Sequence, residues 1–151
     1  MPQVSLVGND TIQIQGRILN ALADQDNASL TFPNELMSVK TGKNGNSLYA
    51  YNNTGEQCEL VLRVIRGSTD DKFLNTLLAQ MKYDVPSFIL LTGRIVKRIG
   101  NGLGSITNDT YLLSGGVFTK QVETKSNSEG DTEQSISIYT LKFTLAPRAI
   151  F

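Results

Sequence analysis

The chain has 151 residues, and its 14 Lys and Arg balance 14 Asp and Glu. That balance excludes the basic surplus on which a dedicated nucleic-acid binder depends, though not local patches. A hydrophobic fraction of 40% beside 19% charged residues excludes a disordered chain, and the length suits one domain, 1–151, with its own core.

The opening stretch MPQVSLVGND has no charged start followed by an apolar run, so no secretion signal is read there. From Thr11 the chain alternates, with Ile12, Ile14 and Ile18 on one side and Gln13, Gln15 and Arg17 on the other, which predicts one strand with a wet face. NALADQDNAS reads as a loop and LTFP as a short strand. A hairpin over residues 37–51 follows, with strands near 36–40 and 47–51. Its tip holds Asn44-Gly45, a dipeptide that accepts positive φ and favours tight reversals.

After a break at NNTGE, the segment QCELVLRVIR alternates again. Cys58, Leu60, Leu62 and Val64 point one way, and Gln57, Glu59, Val61 and Arg63 the other. The period then changes to three and four. Phe73, Leu74, Leu77, Leu78 and Met81 predict one amphipathic helix over about 69–82, capped by Ser68 or Thr69 and ended by Pro86. Asp70 and Asp71 fall where the helix dipole favours carboxylates.

The remainder reads as strand: SFILLTGRIVKRI, a turn at GNGLGS, then TYLLSGGVFTKQVETK with a bulge or kink at Gly115-Gly116. SNSEGDTEQ is a polar loop, and SISIYTLKFTLA is the last strand before Pro147. The expected fold class is mostly β: a sandwich or partly open barrel with one packed helix and one long protruding hairpin.

Catalytic chemistry finds few footholds. The chain has no histidine, which removes the Ser-His-Asp and Cys-His arrangements and most zinc sites. Cys58, the only cysteine, sits on the apolar side of a strand, where burial raises the thiol pKa and blocks access; unable to pair within the chain, it suits a reducing compartment. Asp24–Asn27 opens like a calcium loop but has Ser29 where the loop needs glycine and no flanking helices. GNGLGS and TGKNGNS lack the spacing of nucleotide loops. Glu129, Asp131 and Glu133 read as a solvated loop, since no apolar wall is there to raise one pKa. Arg94, Lys97 and Arg98 read as a charged outer face or a protein contact, because aromatic platforms for bases are missing. No enzyme, cofactor or metal is expected. No apolar run approaches the roughly 20 residues that cross a bilayer, so no membrane insertion is expected either.

Two stretches carry a resemblance. LTFPNELMSVKTGKNGNSLYAYNNTGEQCELVLRVIRGSTDDKFLN passes from a strand through the Gly-Lys-Asn-Gly arm to a strand and a capped helix. TNDTYLLSGGVFTKQVETKSNSEGDTEQSISIYTLKFTLAPRAI pairs a long strand with a closing one. Together they resemble the tail tube proteins of contractile-tailed bacteriophages, whose fold is shared with the type VI secretion tube protein. The resemblance implies homohexameric rings that stack into the inner tube of a tail, a conduit for DNA in the virion, assembled in the host cytoplasm. Implied partners are further copies of the chain, the tail sheath, tape-measure, baseplate hub and tail terminator proteins, and DNA only as passing cargo.

The same resemblance makes the arm the inter-ring stacking hairpin, with Thr41, Gly42, Lys43, Asn44, Gly45, Asn46 and Tyr49 as its contact residues. Glu59, Arg63, Gln121 and Glu123 are the candidate lumen-facing residues. Rival readings are a secreted ring of a type VI-like injection system and a baseplate or tail-end adaptor. A carbohydrate-binding sandwich is a more distant alternative, with no Trp to build its usual platform.

Overall fold

The alternation in Cys58–Ile65 has one physical solution, a strand with one face in the core. The computed structural model, which describes residues 3–8, 10–22, 28–125 and 135–151, has it so. Its strands are β1 (Leu6–Val7), β2 (Thr11–Ile14), β3 (Arg17–Ile18), β4 (Ala28–Thr31), β5 (Met37–Thr41), β6 (Ser47–Tyr51), β7 (Cys58–Ile65), β8 (Leu91–Gly100), β9 (Ile106–Phe118), β10 (Glu123–Lys125), β11 (Ile136–Phe143) and β12 (Arg148–Ile150). One helix, α1 (Thr69–Tyr83), lies between β7 and β8.

Ten strands form one antiparallel sheet along the path β3-β2-β8-β9-β11-β7-β4, with β1 on β8, β10 on β11 and β12 on β9. The sheet is folded over on itself rather than closed into a barrel. The fold class is therefore mostly β with one packed helix, as the sequence predicts. Cys58, Leu60, Leu62 and Val64 of β7 are all 0% exposed and meet Ile12, Ile14, Leu91 and Leu113 of the other half-sheet. Burying each such aliphatic side chain contributes about 1.5–3 kcal/mol.

The fold-over happens at β9. Its first part pairs with β8 and β12, while Val117 and Phe118 cross to β11. At the crossing, Leu91 faces Gly116 and Gly93 faces Leu113, so β9 carries an extra residue and bulges. Gly115 has φ +68, and a Cβ on Gly116 would lie 2.3 Å from the Phe143 ring. The bulge expected at this Gly-Gly pair is present, and its glycines leave room for the Phe143 ring and the Thr144 side chain.

The helix closes the open side of the fold. Leu74 and Leu78 are buried, and Ser68 caps the first turn by accepting from the Asp71 N–H. A run of 3-10 helix at Val85–Ser87 then redirects the chain after Asp84.

Four details differ from the sequence reading. Thr11–Ile18 is a hairpin and not one strand, because Gln15 (φ 52) and Gly16 (φ 80) form a two-residue reversal. Ile18 therefore turns outward at 58% exposure and Leu19 enters the core in its place. The strand after the helix starts at Leu91 and not at Ser87. TYLLSGGVFTKQVETK is broken between β9 and β10, and a short β12 after Pro147 returns to pair with β9. The Asp24–Asn27 turn and the loop holding Glu129, Asp131 and Glu133 lie outside the described residues.

Candidate assembly surface

The β5–β6 hairpin is a sheet of its own, joined by no strand pairing to the rest of the described residues. Met37 pairs with Tyr51, Val39 with Tyr49 and Thr41 with Ser47, so these side chains share one face of the ribbon. Met37, Val39, Tyr49 and Tyr51 are 43–66% exposed. The described residues leave about half of each uncovered, which is an unusual state for four large apolar groups in a row.

The ribbon is held firmly at its base. The Asn52 N–H donates to the Leu36 carbonyl at 2.8 Å and its side-chain amide donates to Ser38 Oγ at 2.8 Å. Tyr51 donates its hydroxyl to Glu56 at 2.6 Å, and this carboxylate raises the phenol pKa. Gly55 is buried against the Glu35-Leu36 backbone so closely that a Cβ would sit 2.5 Å from Leu36 Cα. At the tip, the Gly42 N–H donates to the Asn46 carbonyl and the Gly45 N–H to the Gly42 carbonyl, leaving Lys43 and Asn44 outermost. Only Gly45 of the Asn-Gly pair takes the positive φ, at 83°.

The second set of sequence-selected residues is partly brought together. Register places Glu59 opposite Lys142 and Thr31, and Arg63 opposite Ile138, which in turn faces Glu123. Glu59, Arg63 and Glu123 thus share the outer face of the β4-β7-β11-β10 layer, with Ser29 and Thr140 between them. Gln121 is apart from them. It precedes β10 and accepts a hydrogen bond from Lys82 Nζ at 3.2 Å, at the end of α1. Arg94 and Arg98 lie exposed on β8, and Lys97 faces Asp10 at 3.9 Å. Cys58 is fully buried and burial raises its thiol pKa.

Several long-range interactions gave no sequence signal. Asp70, 0% exposed, accepts from the Asn20 and Ala21 N–H groups at 2.7 and 2.6 Å and pairs with Arg17 at 3.2 Å. Asp71 accepts from Tyr139, Ser137 and the Gly67 N–H. Arg148 grips Asp109 through two bonds of 2.8 Å and holds that carboxyl below its usual pKa. A groove of about 650 Å³ between α1 and the Ser87–Ile89 stretch is lined by Leu77, Tyr83, Phe88 and Ile89. Its only trace in sequence is the apolar run that continues past Pro86. Among the described residues no acidic, cysteine or histidine cluster could hold a metal ion, and no helix is long and apolar enough to cross a membrane.

No protein-family model and no curated protein sequence matches the chain. Solved structures do. A chain of the sheath–tube complex of an extracellular contractile injection system, PVC, in its extended state superposes with TM-score 0.64 at 10% identity, over 94% of this chain and 88% of that one. The fold is tail tube-like. A chain of the PVC sheath/tube terminator matches this tube-like domain with TM-score 0.58 and 12% identity, covering 93% and 92% of the two chains. One from the baseplate of the anti-feeding prophage, a six-fold symmetrised structure, gives 0.56 and 14%, covering 99% and 97%. The tube-like fold is thus shared across three positions in such assemblies.

Proposed function

We propose that the chain is a structural protein that assembles into homohexameric rings, and that these rings stack into the inner tube of a contractile tail, the passage for DNA. The observation that carries the reading is the β5–β6 hairpin, a firmly based ribbon whose apolar face stays exposed and which pairs with no other strand among the described residues. A hairpin of this kind adds backbone hydrogen bonds and apolar contact when it lies on another chain. The mechanism is passive: the energy resides in subunit contacts and no covalent step is needed. A tube of an injection device, carrying protein in place of DNA, uses the same contacts.

Negative-stain electron microscopy of the purified chain is the direct test, with hollow tubes expected. Replacing Thr41–Asn46 with a two-residue turn is expected to leave a folded subunit that builds rings but no long tubes. Normal tubes from that variant refute the stacking role. A second reading, a tail-end or baseplate adaptor, is supported by the full-length likeness to terminator and baseplate chains. It is expected to give single rings that never stack.

A further inference from the structure

The groove beside α1 is an unfilled concavity in which Leu77, Tyr83, Phe88 and Ile89 supply an apolar lining. Its walls are fixed. Leu74 and Leu78 root the helix in the core, the Ser87 hydroxyl and N–H both donate to the Asp84 carbonyl, and Gln15 at the far wall accepts from Thr92. Its lining is nonetheless open to water, with Tyr83 at 92% and Ile89 at 79% exposure. A preformed apolar groove of about 650 Å³ with a polar rim is built to receive something.

We infer that its occupant is the β5–β6 hairpin of a second copy of the chain, an assignment that rests on the stacked-ring reading. Three observations select this occupant. The hairpin is itself an uncovered apolar ribbon, with Val39 and Tyr49 side by side on one face. Its dimensions suit the site: strands of five residues reach about 17 Å, against about 12 Å for the Thr76–Tyr83 stretch of helix that walls the groove.

Charge is the third. Residues 37–51 contain Lys40 and Lys43 and no carboxylate. The C-terminus of α1 borders the groove through Tyr83, and there the helix dipole is negative and Asp84 is exposed. The nearby Lys82 is held by the Gln121 amide and keeps its charge, so the attraction for an incoming lysine there comes from Asp84 and the helix end. Donor ribbon and acceptor groove share no residue, so every copy gives one hairpin and receives one. A head-to-tail contact of that kind propagates along an axis wherever its rotation does not close into a ring.

The test uses the full chain carrying Val39→Cys and Ile89→Cys together, both at exposed positions, while Cys58 stays buried. Mild oxidation of assembled material is expected to yield a disulfide ladder running beyond dimers, and neither single variant gives one. Stacked tubes by electron microscopy without a ladder overturn the groove assignment and leave the tube reading standing. Absence of stacked particles overturns both.

Charge reversal supplies the second arm. Lys43→Glu or Asp84→Lys alone is expected to lower the stacked fraction about tenfold, since like charges then meet across the contact, and the two together restore it. Failure of the pair to rescue removes Asp84 as the receiver of the tip.

Discussion

Asp70 and Asp71 occupy adjacent positions in the first turn of α1 and tie the helix to opposite halves of the sheet. Asp70 reaches the Arg17–Ala21 segment and Asp71 reaches β11. The sequence reading assigned both to the helix dipole. That role accounts for their place in the first turn and misses the rest, because the partners lie 49 to 68 residues away and local pattern does not report them. Tyr139 shows what the arrangement does. Burial, and then the hydrogen bond to Asp71, lift its phenol above the ordinary 10.0. The folded state therefore favours the neutral phenol. Its contribution to stability is complete below the unfolded value near 10 and is lost as pH rises from there toward the folded value. Urea unfolding of the native chain is expected to show a decline in stability above that pH. Tyr139→Phe is expected to remove that component of the decline, and an unchanged alkaline profile in the variant rejects the assignment.

Elements with strict periodicity were legible. The β7 alternation, the three-and-four spacing of α1 and the Asn-Gly reversal of the arm each correspond to a formed element. The β2–β3 reversal was not legible. Gln15 is not a residue that favours positive φ, and the apolar positions 12, 14 and 18 continue the strand pattern across it. The α1 groove was illegible for a different reason: Gln15, Leu77 and Ile89 come from three separated segments. At Gly115-Gly116 sequence and structure agree on a bulge, and the structure adds the steric cause. A methyl on Gly116 meets the Phe143 ring, a fully buried core group. Gly116→Ala is expected to cost about 1–3 kcal/mol in denaturant unfolding, as overpacking usually does. A cost under a few tenths shows that β9 can shift aside and that the close approach is not a requirement.

On the scale of the whole molecule, the net charge of zero is divided unevenly among surfaces. The hairpin is basic, and the outer face of the β4-β7-β11-β10 layer sets Glu59 and Glu123 among the cations Arg63 and Lys142, with Lys125 two residues beyond Glu123 by register and Ser29, Val61 and Thr140 between. Arg63 faces Ile138 and Glu59 faces Lys142, so the register partner of Glu59 is Lys142 and not Arg63. If this face lines the bore, its two carboxylates offset its cations and let a polyanion pass with little adhesion, whereas a wholly basic wall holds it by counterion release. Glu59→Lys with Glu123→Lys replaces both of these carboxylates with cations. Tubes of that variant are expected to retain short duplex DNA at low salt and release it at high salt, and tubes of the native chain to retain little. Retention alone does not separate bore from outer wall, so position is read independently. A gold label on Arg63→Cys, viewed down the tube axis, is expected to fall inside the ring of protein density, and label on the outer rim assigns this face to the exterior and overturns the bore reading.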